Sequence, residues 1–273
     1  MEIYQPSFFD EADRLAKLTK LNDPLVVLQR YIDFELFRPQ LSEVFAKERK
    51  SAAGRKAYDV VFMFKILILQ RVYNISDEQA EFQMNDRYTF QRFLGLRLGS
   101  TVPDFSTVWL FREALTKAGV INSLFDNFGK MLENQGVITK AGSIVDASFV
   151  EVPRQRNTKE ENEMIKNGNV PHDWAKQPRK LCQKDTDARW TKKNNETYYG
   201  YKNHVRADAE SGIITDYTIT DASVHDSQEL SSLVNENKLA EVLFADSAYK
   251  SAKTDVAMDK LGIKNFIHEK GRT

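Results

Sequence analysis

The sequence of 273 residues has one cysteine, no net charge and no long apolar run. The single Cys182 excludes a disulfide framework and a zinc site built from cysteines, and it fits a reducing cytosol. The longest apolar run, residues 60–69, is too short to cross a bilayer and contains Lys65. No basic-then-apolar signal pattern opens the chain, so we predict a cytoplasmic protein that has no membrane partner.

The composition that is present describes a folded protein with unevenly placed charge. Hydrophobic residues make up 41% and aromatic residues 11%, which excludes disorder of the whole chain. Zero net charge argues at first against a nucleic-acid partner. However, residues 151–196 contain 11 basic and 8 acidic residues, whereas residues 197–273 contain 9 basic and 12 acidic residues. The neutrality is therefore an average over a basic middle and an acidic end.

Residues 1–140 carry the signals of a helical domain. Asp23-Pro24 is a typical helix start, and the apolar residues that follow it at helical spacing extend to Leu36, with Pro39 limiting the helix. Asp59 is placed to cap a uniformly apolar and therefore buried helix, Val60–Val72. Ser76 and Gln79 fit a capping box. Further helices are predicted up to Gly136.

After residue 140 the pattern changes to short strands and helices. The predicted order of elements is a strand, a long excursion, two strands, and then helix and strand in alternation, which indicates an α/β core. The strands are expected at 143–150, 197–207, 213–220, 242–245 and 263–268. The excursion, residues 151–196, interrupts the core formed by residues 141–273. It is predicted as a mobile basic insertion with a short helix near Lys159–Lys166.

Two aspartates stand out in the predicted core. Asp146 lies inside the strand SIVDASFV, and Asp246 follows the strand VLFA. A carboxylate among apolar residues is costly to bury unless it is paired or binds a cation, and ligands gather at the carboxyl ends of strands in open sheets. Oxygen ligands without histidine or cysteine favour Mg²⁺ or Mn²⁺. The alternative is that each aspartate caps the turn that follows its strand.

Other chemistries have weaker support. The four histidines show no paired spacing of a zinc site, although His225 could lie near the aspartates. Basic residues interleaved with Trp174, Trp190, Tyr198 and Tyr199 suit phosphate contact and base stacking. For the basic cluster near residue 50, a solvated linker between helices is the better explanation. The basic residues predicted to contact nucleic acid are Lys50, Arg55, Lys56, Arg154, Arg156, Lys192, Lys193, Lys202 and Lys250.

The same residues resemble a known family. The stretch GRKAYDVVFMFKILILQRVYNISDEQAEFQMNDRYTFQRFLGL, followed by VPDFSTVWLFREAL, is similar to the N-terminal domain of IS5-family insertion-sequence transposases. The segments SIVDASFVEVP, YYGYKNHVRADAESGIITDYTITDASVHDSQEL and VLFADSAYKS resemble the DDE catalytic core of that family. The resemblance covers nearly the whole chain in order.

The resemblance implies an RNase H-like mixed-sheet core after the helical domain. It implies that Asp146 and Asp246 are the first two acids of an Asp-Asp-Glu triad, which would bind Mg²⁺ or Mn²⁺ and transfer phosphoryl groups in line on DNA. The partners would be the terminal inverted repeats of the element and a target DNA. The chain would act as a homo-oligomer on DNA and be associated with the nucleoid.

The sequence departs from the family pattern at the third acid. In the family the catalytic Glu lies on a helix after the last strand, whereas this sequence ends at Thr273, before such a helix. We therefore expect a truncated enzyme, of which three interpretations remain: a decayed gene product, a first frame completed by frameshifting, or a regulatory DNA-binding fragment. Alternatives to transposase activity are a non-catalytic DNA-binding remnant or regulator and an RNase H-like nuclease without strand transfer.

Overall fold

The computed structural model describes residues 9–46, 56–97, 99–152, 155–193, 195–235 and 240–268. The chain divides into two compact units between Lys130 and Met131, whereas the sequence pattern placed the boundary after residue 140. The first unit is helical, and the second contains the sheet. In the part of the chain that the structure describes, no helix is long and apolar enough to span a membrane.

The helical unit is built from short helices around an apolar core. Its helices are α1 (Asp10–Lys20), α2 (Pro24–Tyr31), α3 (Arg38–Val44), α4 (Val60–Tyr73), α5 (Asp77–Asp86), α6 (Tyr88–Leu94) and α7 (Phe105–Ala118). The helix α8 (Ile121–Asn134) crosses the boundary between the units.

Local capping signals set the start of several of these helices. Asp59 accepts hydrogen bonds from the backbone N–H groups of Val61 and Phe62, which begins α4 as predicted. Ser76 and Gln79 form the predicted capping box at α5. The prediction around Pro39 is wrong. The helix from Pro24 ends at Tyr31, and Pro39 lies in the first turn of α3, where its missing N–H has no helical partner to lose.

The second unit contains a mixed sheet of parallel and antiparallel strands. Its strands are β1 (Gly142–Glu151), β2 (Arg189–Lys193), β3 (Glu196–Asp208), β4 (Ile214–Asp221), β5 (Val242–Ala245) and β6 (Lys264–Ile267). The central order is β3-β1-β5-β6. Strand β3 is antiparallel to β1, whereas β5 and β6 are parallel to β1. Both β2 and β4 pair with β3, at different parts of its length. The helices α12 (Leu230–Leu233) and α13 (Ala252–Leu261) complete the core.

The excursion after β1 is folded rather than mobile in its described residues. It contains α9 (Lys159–Lys166), where the helix was predicted, together with α10 (His172–Ala175), α11 (Pro178–Leu181) and β2. Trp174 is fully buried, and its indole donates to Glu161 at 2.9 Å. The Tyr201 hydroxyl, on β3, donates to Asp185 at 2.7 Å. The prediction of a mobile insertion missed these contacts, because they join segments that are distant in the sequence.

Gly200 is the point at which β3 exchanges one neighbour for the other. β2 pairs with β3 up to Gly200, and β4 pairs with it from Tyr201 onward. The φ of Gly200 is +151°, and a Cβ at this position would lie 2.2 Å from the carbonyl oxygen of Val150. Only glycine therefore lets β3 approach β1 this closely.

The two faces of the sheet differ in cover. One face, which we call the inner face, packs Val145, Leu243 and Ile267 against the α12 and α13 segments. The opposite, outer face carries three large apolar side chains that are 42–60% exposed. They lie side by side on neighbouring strands and are Ile144, Phe244 and Phe266. Side chains alternate between the faces along a strand, so the even-numbered residues of β1, among them Asp146, belong to the outer face.

Candidate metal centre

The strand register brings the two predicted aspartates together. β1 and β5 are parallel, and their last paired residues are Val145 and Ala245. Asp146 and Asp246 are the next residue in each chain segment, at the carboxyl end of β5. Neighbouring strands lie about 4.8 Å apart, so the two carboxylates leave adjacent backbone positions. The backbone therefore places Asp146 and Asp246 directly after the last residue pair of two neighbouring strands.

Asp246 also caps the turn that follows it. Its carboxylate accepts a hydrogen bond from the N–H of Ala248 at 3.4 Å, at the start of the 3₁₀ turn Ser247–Tyr249. The hydrogen bond from the Ser247 side chain, with the backbone N–H groups and the charge of Lys193, lowers the pKa of Asp246 below its ordinary value. The capping role and an ionised, exposed carboxylate coexist in this residue.

The sequence predicted that Asp146 is buried among apolar side chains, and this prediction is wrong. Both Asp146 and Asp246 are exposed, so neither carboxylate is buried among apolar side chains. The reason is that Asp146 projects from the outer face, where its neighbour Ile144 is itself 43% exposed. One oxygen of Asp146 accepts from the N–H of Ala147 at 2.7 Å, and the carboxylate remains accessible to solvent.

β2 brings a basic residue to the aspartates that sequence reasoning placed in a loop. Lys193 ends β2, is exposed, and contributes to the low pKa of Asp246 through its charge. Its ammonium lies 5.8 Å from the ring centroid of Phe149, which stacks on Tyr198 at 4.2 Å. The sequence contained a signal for this hairpin. Lys193 pairs with Glu196, and Asn195 between them has a positive φ, for which asparagine is a typical residue in a two-residue hairpin turn.

Lys202 does not present its charge at the surface. The residue is 8% exposed, and its ammonium donates to the carboxylate of Asp226 at 2.9 Å and to the carbonyl of Val224 at 2.6 Å. The prediction that Lys202 contacts nucleic acid is therefore corrected by the structure, since a buried ammonium with two acceptors is not available to a phosphate. Its position on the inner face, opposite Phe149 of β1, explains the burial.

The other predicted nucleic-acid residues fall into three groups. Lys50, Arg55 and Arg154 lie outside the described residues. Lys56 and Lys192 are exposed. Arg156 and Lys250 are paired with carboxylates, Arg156 with Glu151 at 2.7 Å and Lys250 with Asp255 at 3.0 Å. Two predicted stacking side chains are also unavailable, because Trp174 and Tyr199 are fully buried.

Two models of known protein families match the sequence, one in each unit of the chain. Residues 13–114 match the family model described as "Transposase domain (DUF772)", and residues 139–272 match the model described as "Transposase DDE domain". Together these two transposase models cover most of the sequence, in the order of the two units. The chain belongs to the DDE-type transposases. The second match contains both Asp146 and Asp246.

One solved structure similar to this DDE-type chain is described as "Cryo-EM structure of piggyBac transposase synaptic complex with hairpin DNA". The sequence identity is 13%, and the match covers 86% of this chain and 49% of that chain. This transposase chain therefore spans about half the length of the solved relative. The TM-score is 0.35.

A buried phenol lies next to the two aspartates of this DDE domain. Tyr249 is 1% exposed, and its hydroxyl has no hydrogen-bond partner within the described structure. Burial, together with the charges of Asp226, Asp146 and Asp246, raises the pKa of Tyr249. The phenol therefore stays protonated at neutral pH and keeps an unused donor.

The chemistry of Asp146 and Asp246 fits a hard divalent cation. Mg²⁺ retains several waters and is commonly bound by one or two carboxylates together with substrate phosphates. Two exposed carboxylates on adjacent strands, one with a lowered pKa, meet that requirement. Among the described residues no group of three acidic, histidine or cysteine side chains could hold a metal. The two aspartates would thus supply two oxygen ligands, and substrate and solvent oxygens would supply the others.

Proposed function

We propose that this chain is a DNA transposase of the IS5 type, in which Asp146 and Asp246 bind the divalent cation used for phosphoryl transfer. The single observation that carries the proposal is the parallel register of β1 and β5, whose last pair, Val145 and Ala245, directly precedes the two aspartates. The membership in the DDE family supports it.

In the proposed mechanism, Asp146 and Asp246 would hold Mg²⁺ or Mn²⁺ at the end of β5. A bound cation would activate an attacking water or 3′-hydroxyl and stabilise the leaving oxygen. Asp246 contributes an ionised carboxylate, and its lowered pKa keeps it ionised to a lower pH than an ordinary aspartate. Lys193 places a positive charge close to Asp246, where it can bind a non-bridging phosphate oxygen of the DNA and orient the strand.

The proposed partner is DNA, comprising the terminal inverted repeats and a target. Lys56, Lys192 and Lys193 are the exposed basic residues of the predicted set, and they can contact phosphates directly. Arg156 and Lys250 would have to exchange a carboxylate partner for a phosphate. We further propose that at least two copies act together on DNA and that the protein works in the cytoplasm, at the nucleoid.

The proposed activity requires a third carboxylate that the described residues do not supply. The exposed apolar row of Ile144, Phe244 and Phe266 adjoins Asp146 on the outer face, and an element packed on that row would bring its side chains to the aspartates. If no such element completes the site, the second candidate function applies, which is that of a non-catalytic DNA-binding remnant or regulator. The observation that favours this candidate is the absence of a three-residue metal cluster among the described residues.

Metal binding tests the proposal without relying on activity. Mn²⁺ titration followed by electron paramagnetic resonance should show binding to the chain, and Asp146→Asn and Asp246→Asn should each weaken it by about tenfold or more, because each removes a charged oxygen ligand. Asp259→Asn, which removes an exposed carboxylate on α13, is the control and should leave the affinity unchanged. Unchanged Mn²⁺ affinity in both site variants would contradict the proposed site.

DNA assays separate the remaining functions. Cleavage of terminal-repeat DNA that depends on Mg²⁺, with joining of the ends to a target, is the result expected of a transposase once the third carboxylate is supplied. A nuclease would release ends without joining them. Binding of DNA without cleavage in every condition would assign the chain to the regulatory class, and cleavage by the chain alone would overturn the requirement for a third carboxylate.

A further inference from the structure

One side of helix α7 carries large apolar side chains that the structure leaves uncovered. Phe105, Trp109 and Leu110 are 50%, 47% and 59% exposed, and Phe82 of the neighbouring α5 is 69% exposed. The α7 residues lie within one side of the helix at a rotation of 100° per residue. Monomeric proteins seldom expose contiguous apolar patches of this kind unless the patch binds a partner, and tryptophan is a common anchor of interfaces.

The charges at the two ends of this side have opposite sign. At the N-terminal end, Glu78 and Glu81 of α5 adjoin Phe82, and Glu78 also lines a groove with Phe105 and Trp109. At the C-terminal end Lys117, whose side chain is 77% exposed, contacts Glu113 at a long 3.9 Å. With the exposed Lys56 beside them, this end keeps a net positive charge. Lys117 lines a second groove, of about 720 Å³, together with Lys56, Trp109 and Leu110.

This arrangement is complementary to itself. We propose that the α7 side, from the Glu78 end through Trp109 and Leu110 to the Lys117 end, binds a second copy of this chain about a two-fold axis. In a two-fold interface the same patch serves both partners, and antiparallel α7 helices place the acidic end of each copy on the basic end of the other. Phe105 and Lys117 are about 18 Å apart along the helix, so the two ends contact separately.

The groove and the anchors supply the centre of the interface. Trp109 and Leu110 stand at the edge of the 720 Å³ groove, and the same two residues of a partner copy enter the corresponding groove across the axis. The acidic end disfavours DNA as the occupant, because its carboxylates repel phosphates. Arg112 does not neutralise this end, since Asp77 and Gln70 already accept its hydrogen bonds. The inference concerns the helical unit alone and does not depend on the proposed metal site.

Truncation of the anchors gives the first test. Sedimentation equilibrium of the full chain should show a monomer–dimer equilibrium, and Trp109→Ala and Leu110→Ala should each raise the dissociation constant by about tenfold or more. Val256→Ala removes an equally exposed apolar side chain on α13 and is the matched control. Circular dichroism checks that each variant is folded. A wild type that stays monomeric at all concentrations, or anchor variants that dimerise as wild type does, would overturn the proposal.

Charge reversal tests the antiparallel arrangement without removing apolar contacts. Glu78→Lys and Lys117→Glu should each weaken the dimer by placing like charges across the axis, whereas the double variant should restore the dissociation constant to within about threefold of wild type. Glu210→Lys makes the same charge change on a turn of the sheet unit and should have no effect. If the double variant is weaker than either single variant, the two ends do not meet and the arrangement is wrong.

Discussion

Each of the two units of this protein is stabilised internally by a different kind of interaction. The core of the helical unit is a cluster of apolar side chains, and Asp23 and Gln70 are the buried polar residues that the described part of this unit contains. In the sheet unit, one strand alone buries Lys202, His204, Arg206 and Asp208 in succession on the inner face. Apolar packing tolerates changes of charge elsewhere in the chain, whereas buried polar groups require their partners to stay in place.

The largest effect should come from emptying the helical core. Leu69 is 1% exposed inside α4, and Leu69→Ala should lower the free energy of unfolding by about 3–5 kcal/mol, because it removes buried methyl groups and leaves a cavity. Urea unfolding measures the loss, and hydrogen exchange should localise it to the helical unit. Leu21→Ala, at a side chain that is 78% exposed, is the control and should change the stability by less than about 0.5 kcal/mol.

A change of charge should destabilise the sheet unit almost as strongly. Asp226→Ala leaves the ammonium of Lys202 buried without its carboxylate and should cost about 3 kcal/mol. Replacing both partners, with Lys202→Met and Asp226→Leu together, should recover most of the loss because no unpaired charge remains. If Asp226→Ala is as harmless as an exposed substitution, the contrast between the two units does not hold.

The smallest effect is a dependence of stability on pH that arises in the sheet unit. His204 is fully buried, its Nε2 contacts the Thr220 hydroxyl at 3.0 Å, and its Nδ1 has no partner in the described structure. Burial lowers the pKa of His204, so the unfolded chain binds this proton more readily than the folded one. Stability from the neutral imidazole is complete above the unfolded pKa, about 6.5, and is lost as the pH falls toward the folded pKa.

His204→Gln isolates this contribution. Urea unfolding at about pH 7.5 and about pH 5.5 should show a smaller difference for the variant than for wild type, since ordinary carboxylates titrate below that range. Equal differences in both proteins would mean that His204 does not set the pH dependence.

The features predicted correctly from sequence are those that local chemistry determines. Asp59 and the pair Ser76 and Gln79 begin helices through hydrogen bonds within the first turn, and the sequence of that turn is sufficient to predict them. The sequence also predicted Asp146 and Asp246 at matching positions of one sheet, and the last residue pair of β1 and β5, Val145 and Ala245, directly precedes them.

The features that sequence reasoning missed depend on contacts between distant segments. The ion pair that removes Lys202 from the surface joins residues 24 positions apart, and Lys193 reaches Asp246 only because β2 pairs with β3. The exposure of Asp146 depends on which face of β1 is covered, which the flanking apolar residues do not reveal. The spacing of residues shows which chemistry is present, but the pairing of strands decides which charges are free.

Gly200 has a genetic consequence. Every missense change that a single base substitution can make in a glycine codon introduces a Cβ, and at this position the Cβ meets the carbonyl oxygen of Val150 at 2.2 Å and the backbone nitrogen of Val152 at 2.9 Å. Both obstructing atoms belong to the main chain, so no second-site change of a side chain can make room. We expect codon 200 to tolerate synonymous changes only, and a deep mutational scan should record it as invariant even though its residue touches neither aspartate.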